Sequence, residues 1–228
     1  MMNIEVCCNS LYSIQTAEQL GASRVELCQN LLKDGITPDL ELLKEACQKF
    51  QIPIHVLIRP KIGDFIYSSS DLKLIEESIQ KALQFPIAGI VVGHMNRKNE
   101  VDPVLLHHWR ALTPGLDLTF HRAFDQAAKP FNVLEQLIEA GFSRLLSSGQ
   151  EGSAETGILL LQELQKVAGN SLEIMPGGGI NDNNVSLFID AGFKSIHLSA
   201  KSSNNPAHLE PVIDPTILKN VITLSSKI

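Results

Sequence analysis

Short runs of apolar residues alternate along this chain with longer stretches in which apolar residues recur at helical spacing. The short runs predict eight β-strands, over residues 4–7, 24–28, 54–58, 89–92, 117–121, 144–147, 172–175 and 195–198. The longer stretches predict helices between and after them, including residues 39–50, 70–84, 131–140, 154–168, 183–191 and 215–225. This alternation is typical of strand–helix units that build a parallel sheet with helices on its outside.

The number of these units indicates the fold. Eight strand–helix units in 228 residues favour an α/β protein with a single (β/α)8 TIM barrel, a fold that typically takes about 250 residues. We expect one domain over residues 1–228, because no Pro/Gly/Ser-rich linker divides the chain. An open doubly wound sheet is the alternative. The glycine cluster argues against its dinucleotide-binding version, since it follows the seventh strand and reads GGG instead of GxGxxG, so we expect no nucleotide cofactor.

Polar side chains collect at one parity of the predicted strands, whereas the opposite parity is almost entirely apolar. Alternate residues of a barrel strand point to the axis, so the polar set is predicted to fill the interior and the C-terminal mouth, where such barrels place their sites. Its members are Glu5, Cys7, Glu26, Cys28, His55, Arg59, Thr119, His121, Ser147, His197 and Ser199. Because a buried unpaired charge is costly, these groups either pair in a structural network or form a site for a ligand.

The segment LTFHRAFD, residues 118–125, brings three polar residues to the predicted mouth. His121 ends the strand with its side chain on the inward parity. Arg122 has the outward parity and is expected to pair at the rim, and Asp125 follows in the loop, where it is placed to orient a histidine or a substrate.

An enzyme built on this polar set would use Glu26 or His121 as general base or acid, with Glu5 and His55 as supporting partners. Arg59 would hold a carboxylate or stabilise a developing oxyanion. This layout suits isomerase or lyase chemistry on a small anionic substrate, such as a phosphorylated one.

The segment MPGGGIND, residues 175–182, predicts an anion site. Its glycines, which free the backbone to present N–H groups just before a predicted helix, are Gly177, Gly178 and Gly179. The loops after strands seven and eight are the usual phosphate cradle of TIM barrels, and Ser199 and Lys201 would add donors from the second loop. The alternative is a tight turn in which a side chain merely caps the helix.

The cysteines offer a second kind of ligand chemistry. None of the four cysteines forms a CxxC pair, so we expect free thiols. Cys7 and Cys28 each lie two residues after a glutamate in adjacent strands, and neighbouring strands are about 4.8 Å apart, so their sulfurs are expected to approach each other. Two thiolates can hold Cu(I). The alternative is that buried cysteine behaves as a small hydrophobic residue, as expected for Cys8 at the opposite parity.

Composition and charge narrow the possible partners. The chain is 44% hydrophobic with a formal charge of −6, and no cluster of Lys and Arg suggests a nucleic-acid surface. No run of 18 apolar residues predicts a membrane span, and the first residues do not resemble a signal peptide. We therefore expect a cytoplasmic protein that binds neither nucleic acid nor membrane, with a metal ion or a small anion as its ligand.

The motifs IEVCCNS, RVELC, DGITP, HVLIRPKIGDFIYS, LTFHRAFD, LLSSGQ, MPGGGIN and HLSAKS follow one another in the order seen in the CutC family, which this sequence resembles. Members of that family are often called copper homeostasis proteins. The resemblance implies a TIM barrel, a cytoplasmic location, a homodimer or homotetramer, and a role in copper handling. It also implies copper, as Cu(I), as the ligand of Cys7 and Cys28, which match the family's proposed ligands.

The chain departs from the family at the end of the last strand. Where the family often has a cysteine before its final Ser-Ala-Arg, this chain has Leu198, so a third thiol is absent, whereas Lys201 keeps the positive charge. Two hypotheses follow. The protein binds Cu(I) through cysteines at the barrel mouth, or it is a TIM-barrel enzyme of the isomerase or lyase type.

Overall fold

Eight parallel strands pair side by side and close into a barrel. They are β1 (Asn3–Cys8), β2 (Arg24–Leu27), β3 (Ile54–Leu57), β4 (Gly89–Val92), β5 (Asp117–Phe120), β6 (Arg144–Ser147), β7 (Glu173–Pro176) and β8 (Ser195–Leu198). They follow the order β7-β6-β5-β4-β3-β2-β1-β8, and a bridge between Gly177 and His197 joins the two ends. This computed structural model, which describes residues 2–202 and 209–226, confirms the TIM barrel and excludes the open sheet.

A helix follows each strand. The helices are α1 (Leu11–Leu20), α2 (Leu40–Lys49), α3 (Ser69–Ala82), α4 (Pro103–Leu112), α5 (Pro130–Glu139), α6 (Ile158–Ala168), α7 (Val185–Asp190) and α8 (Pro215–Ser225). Helix α6 starts four residues later than predicted, directly after Gly157, where the Ser148 carbonyl lies so close that a Cβ would not fit. None of the helices in the described residues has the length and hydropathy of a bilayer-spanning segment.

The apolar parity of the strands forms the main core between barrel and helices, as predicted. Val6, Val25, Leu27 and Phe120 are fully buried there, together with Trp109 of α4. Cys8 belongs to the same core, which confirms its predicted structural role. Each such side chain stabilises the fold by about 1.5–3 kcal/mol, so this layer holds the barrel while its axis is free to carry polar groups.

The ladder between β1 and β2 is staggered. Cys7 lies opposite Glu26 in the ladder, not opposite Cys28, and Glu5 lies opposite Arg24. Barrel closure requires such a stagger between neighbouring strands. Cys28 therefore follows the end of β2, one inward-facing position closer to the mouth than Cys7.

The inward parity of β6 was assigned wrongly. Arg144 and Leu146 face the axis, whereas Ser147, predicted to face inward, donates through its Oγ to Asp125 Oδ1 at 2.6 Å. The sequence signal was misleading because Leu146, an apolar residue, lines the barrel interior while a serine lies outside it. In this strand, Arg144 is thus the polar residue that points to the barrel axis.

Candidate functional site

The N-terminal half of the barrel axis is filled by ionisable groups that we call the floor network. Its members are Glu5, Arg24, His55, Asp117, Arg144 and Glu173. At its centre, Glu5 Oε2 accepts a hydrogen bond from Arg24 Nε at 2.6 Å, and His197 Nδ1 donates to Glu5 Oε1 at 2.8 Å. Burial alone raises a carboxyl pKa, but His197 and Arg24 outweigh it and hold the pKa of Glu5 well below its usual range. Glu5 is therefore an ionised, fully buried anchor.

The other half of the floor network is built around Arg144. Its Nε donates to Glu173 Oε2 at 3.1 Å, and its Nη2 donates to Asp117 Oδ2 at 3.3 Å. Between this group and Glu5 lies His55, whose ring nitrogens are 3.5 Å from a carboxylate oxygen on each side. Burial lowers the pKa of His55 to about 4. His55 and Glu5 therefore lie beneath the mouth as supporting groups, and Arg24 and Arg144 are members of the interior set that the sequence analysis missed.

The C-terminal end of the barrel opens into a cavity of about 840 Å³, which we call the mouth cavity. Its lining includes most of the predicted site residues, namely Cys7, Glu26, Arg59, His121, Asp125, Gly178, Gly179, Ser199 and Lys201. It also includes Phe65, Arg122 and His197. The strands thus bring together groups that are up to about 200 residues apart in the chain, since Cys7 and Lys201 line the same space.

Cys7 lines the mouth cavity, and behind it lies a second thiol, Cys28, which is fully buried and is not among the lining residues. Cys7 Sγ and Cys28 Sγ are 3.5 Å apart, and Cys7 Sγ lies 3.6 Å from Glu26 Oε1. The hydrogen bond with Cys28, together with burial, raises the pKa of Cys7 well above its usual value. For Cys28, the bond with Cys7 lowers the pKa, but burial outweighs it and the net shift is upward. Both residues are therefore neutral free thiols at physiological pH.

Glu26 and His197 complete the polar group around Cys7. A thiol sulfur of Cys7, a carboxylate oxygen of Glu26 and a ring nitrogen of His197 all lie within 4.8 Å of one another. Burial raises the pKa of Glu26 to about 7, and its Oε2 has no hydrogen-bond partner among the residues that the structure describes. Burial disfavours the charged form of His197, but the charge of Glu26 and a hydrogen bond to Cys7 raise its pKa well above the usual value.

His121 lines the cavity and has a buried ring nitrogen without a hydrogen-bond partner in the described residues. Its Nδ1 accepts from the Ala123 N–H at 3.1 Å, so the ring proton is on Nε2, which has no partner within the described part of the chain. Burial, assisted by the charge of Arg59, lowers the pKa of His121 to about 3, so the ring is neutral. Space for it comes from Gly93 of the loop after β4, where a Cβ would lie 2.6 Å from His121 Nδ1.

Arg59 serves the loops of the mouth. Its Nη1 donates to the carbonyl oxygens of Lys33, Asp34 and Gly35 at 3.2, 3.0 and 2.8 Å, and its Nη2 donates to that of Gly63 at 2.8 Å. The guanidinium thus ties the loop after β2 to the loop after β3. Only Nε lacks a partner among the described residues, so most of its donors are not available to a carboxylate or an oxyanion.

The loop that Arg59 holds, IRPKIGDFIYS, places one aromatic ring in the cavity. The guanidinium of Arg59 lies 4.9 Å from the centroid of the Phe65 ring, and that ring lies 4.8 Å from the ring of His121. Phe65 packs against the core and also lines the mouth cavity.

Asp125 organises the rim. Its carboxylate accepts from the Ser148 amide, from the Ser147 and Ser148 hydroxyls, and from Arg122 Nε at 2.8 Å. Arg122 Nη2 also donates to Ser148 Oγ at 2.9 Å. The rim pairing expected for Arg122 is present, and its side chain additionally lines the cavity. Asp125 is therefore placed to position Arg122. The alternative expectation, that it orients a histidine, is not met, because no histidine is among its partners within the described residues.

The three glycines after β7 have different roles. Gly177 closes the barrel: its N–H donates to the Ser147 carbonyl, and a Cβ there would lie 2.4 Å from Leu146. Gly178 and Gly179 adopt φ values of 111° and 79°. Their amides donate to no group in the described ranges, and a Cβ at Gly178 would lie 3.3 Å from Arg122 Cζ. Of the three glycines predicted to bind an anion, only Gly178 and Gly179 thus have backbone amides that are free to do so within the described part of the chain.

The helix expected to support this loop begins later than predicted. Helix α7 starts at Val185, after a turn, and contains only six residues. Ser199 and Lys201, from the loop after β8, line the same cavity as Gly178 and Gly179. Any anion here would be held by loop amides and side chains, not by the end of a long helix.

Comparison with known proteins identifies the family. The model of the CutC family matches residues 2–202. A CutC family protein of Pectobacterium atrosepticum is 40% identical over 200 residues, which cover 88% of this chain and 79% of that protein. One from Pasteurella multocida is 38% identical over 216 residues, covering 93% and 88%. A crystal structure of CutC from Streptococcus agalactiae, described as a copper homeostasis protein, has a TM-score of 0.82 at 32% identity, covering 87% of this chain and 99% of that one. The chain therefore belongs to the CutC family.

Proposed function

We propose that this protein binds Cu(I) through Cys7 and Cys28 at the barrel mouth and acts in copper homeostasis in the cytoplasm. The observation that carries this proposal is the meeting of two free, buried thiols, with sulfurs 3.5 Å apart, of which Cys7 lines the mouth cavity. The family name supports the copper role, since the similar protein from Streptococcus agalactiae is described as a copper homeostasis protein.

The donor set suits a soft monovalent ion. Cu(I) selects thiolate ligands over oxygen ligands, and two sulfurs on neighbouring strands can both contact one ion. Metal–thiolate bonds are about 2.3 Å long in zinc sites, so two sulfurs 3.5 Å apart can both reach a metal ion of similar size without a change of backbone. Leu198 in place of a third thiol leaves this pair as the sulfur donors of the mouth within the described residues.

Metal binding at this pair must release the thiol protons, because the thiolate is the ligand. Glu26 is placed to receive one of them, since its Oε1 lies 3.6 Å from Cys7 Sγ and its pKa of about 7 allows it to take up and release a proton near neutral pH. Cu(I) uptake is therefore expected to strengthen as the pH rises from 6 to 8.

The proposal is tested by Cu(I) competition titration against a chromogenic Cu(I) chelator, in the absence of oxygen. Wild-type protein is expected to take up one Cu(I) per chain, and Cys28→Ser is expected to lower the affinity by more than about 100-fold, since loss of a ligand exceeds the loss of an outer partner. Cys47→Ser is the matched control, because Cys47 is a free cysteine on α2 outside the mouth. Unchanged Cu(I) affinity in Cys28→Ser would overturn the proposal.

A second candidate is an enzyme of the isomerase or lyase type that acts on a small anion. It is favoured by the neutral His121, which lines the same cavity as Glu26 and whose buried Nε2–H has no partner among the described groups. Glu26 would transfer a proton, and His121 Nε2–H would donate to a developing oxyanion. The free amides of Gly178 and Gly179, with Arg122 and Lys201, would hold the anionic end of the substrate.

This candidate is tested by soaking crystals of the protein in phosphate. Density at the Gly178 and Gly179 amides, lost in Arg122→Gln, is the expected result. A cavity that stays without density at high phosphate concentration would remove the case for a phosphorylated substrate.

A further inference from the structure

Cys7 belongs to two donor groups, and only one of them is the thiol pair. The second group consists of Cys7, Glu26 and His197, whose ligand atoms all lie within 4.8 Å of one another. Ligands at about 2.0–2.3 Å from a tetrahedral zinc ion are separated by about 3.5 Å from each other. Cys7 Sγ and Glu26 Oε1, at 3.6 Å, already have this separation. Cys28 is not a member of this group.

The ring of His197 is oriented as in metal sites. Its Nδ1 donates to Glu5 Oε1 at 2.8 Å, which leaves Nε2 for the group formed with Cys7 and Glu26. Glu5 is itself fixed by Arg24 Nε at 2.6 Å. A carboxylate that holds the far nitrogen of a histidine is the usual outer support of a histidine ligand, because it sets the ring orientation and raises its basicity.

Glu26 supplies an independent indication of a ligand. The residue is 5% exposed, and its Oε2 has no hydrogen-bond partner in the described ranges. A buried carboxylate oxygen without a partner is expensive, and a cation at this position would offset that cost. The side chain lines the mouth cavity, so a cation bound here would be accessible to small molecules.

We propose that Cys7, Glu26 and His197 form a site for a divalent ion of borderline softness, Zn²⁺, whose fourth coordination position opens into the mouth cavity. The mixed sulfur, nitrogen and oxygen donors are those that zinc accepts, and three protein ligands with an open position are typical of catalytic zinc sites. One thiolate and one carboxylate bring two negative charges, which neutralise a dication, whereas a monocation would leave a buried excess. The site extends the proposed function to a second metal, and the two ions exclude each other because both use Cys7.

The experiment is a crossed titration of metal-free protein with Zn²⁺ and with Cu(I), and Co²⁺ serves as a spectroscopic substitute for Zn²⁺. Wild-type protein is expected to bind one Co²⁺ with thiolate-to-metal absorption in the near ultraviolet. His197→Gln is expected to lower the Zn²⁺ affinity by at least about 100-fold and to leave the Cu(I) affinity within about threefold. Cys28→Ser is expected to lower the Cu(I) affinity and to leave the Zn²⁺ affinity within about threefold.

Two further variants make the comparison specific. Glu26→Gln is expected to weaken Zn²⁺ binding and to keep the thiolate-to-metal band of Co²⁺, because Cys7 remains. His107→Asn, at an exposed histidine of α4, is the control for adventitious zinc at the surface and is expected to change neither metal. Circular dichroism of each variant checks that it is folded.

The outcomes separate the two proposals. Loss of Cu(I) binding in Cys28→Ser with Zn²⁺ binding retained supports both sites as assigned. Absence of Zn²⁺ and Co²⁺ binding to wild-type protein, or binding that His197→Gln leaves unchanged, overturns the zinc site and leaves the copper proposal standing. Zn²⁺ binding that depends on His197, together with Cu(I) binding that ignores Cys28, overturns the copper proposal alone.

Discussion

The two halves of the barrel axis both contain buried carboxylates, but the partners of these carboxylates differ. In the floor network, Glu5 forms a salt bridge with Arg24 at 2.6 Å, and Arg144 forms salt bridges with Glu173 and Asp117. In the mouth cavity, the carboxylate of Glu26 forms no salt bridge within the described residues, and one of its oxygens has no partner. The charges at the floor are paired with one another, whereas the unpaired oxygen of Glu26 above them is available to a ligand.

Two glutamates on the neighbouring strands β1 and β2 show the contrast between paired and unpaired carboxylates. Glu5 and Glu26 are both buried and both point to the axis, but the pKa of Glu5 lies well below its usual range, whereas burial raises the pKa of Glu26 to about 7. The difference comes from the partners, because His197 and Arg24 contact Glu5. The two glutamates therefore have different roles, which are set by the groups within hydrogen-bond distance. Glu5 is part of the structural network, and Glu26 is available to a ligand.

The largest expected effect comes from removing charge at the floor. Glu5→Gln leaves Arg24 buried without its counter-ion and takes from His197 the carboxylate that orients it. Breaking a buried ion pair in this way typically costs about 3–5 kcal/mol, so the free energy of unfolding, measured by urea denaturation, is expected to fall by that amount. The control is Glu100→Gln at an exposed loop position, which is expected to change it by less than about 0.5 kcal/mol.

Replacing the glutamate at the mouth, Glu26, with glutamine is expected to raise the free energy of unfolding instead of lowering it. The pKa of Glu26 is raised in the folded state to about 7 from 4.5, so its contribution to stability is present below pH 4.5 and is lost as the pH rises through 7. Glu26→Gln removes this loss, and we expect a gain in the free energy of unfolding on the order of 3 kcal/mol at pH 8 and little change at pH 4. Urea denaturation at both pH values measures it. A loss at pH 8 similar to that of Glu5→Gln would remove the distinction between floor and mouth.

A smaller effect is expected where the backbone makes room for the mouth. A Cβ at Gly93 would lie 2.6 Å from His121 Nδ1, so Gly93→Ala forces the ring out of its position. Overpacking of this kind typically costs about 1–3 kcal/mol, measurable by thermal or urea denaturation. Gly152→Ala is the matched control, because a Cβ there meets nothing within 4 Å, and it is expected to be neutral. Equal effects of the two substitutions would contradict the account of His121.

The effect that is smallest near neutral pH is the contribution of His121, which grows as the pH falls. Its pKa is about 3 in the folded protein and 6.5 when exposed, so the unfolded chain binds a proton that the folded chain excludes, and stability is lost as the pH falls from 6.5 towards 3. His121→Asn should show a shallower loss, by at most about 1.4 kcal/mol per pH unit. The measurement is urea denaturation between pH 6.5 and pH 4.5, with His107→Asn as the exposed control. Parallel curves for wild type and His121→Asn would show that the ring is not buried in its neutral form.

Much of the fold followed from the sequence because its periodicity is local. The alternation of apolar and polar residues in β1, β2 and β5 gave both the barrel and the inward set, including Glu5, Glu26 and His121. The same pattern contained Arg24, at the inward position before Glu26, but a basic residue at a predicted strand boundary gave no reason to choose the interior.

The features that the sequence did not predict depend on relations between distant segments. The stagger that sets Cys7 opposite Glu26 results from barrel closure, which no single strand encodes. The carbonyl partners of Arg59 come from the fold of a neighbouring loop, and such oxygens leave no signal in a sequence. The convergence of Cys7, Glu26 and His197 likewise needs the pairing of β1 with β8, which only the closed barrel provides.

The measurement that tests the central claim most directly is X-ray absorption at the copper K edge of the Cu(I)-loaded protein and of Cys28→Ser. The account predicts two sulfur neighbours per copper in the wild type, from Cys7 and Cys28, and one in the variant. A copper ion surrounded only by nitrogen and oxygen, or a sulfur count that Cys28→Ser leaves unchanged, would contradict it.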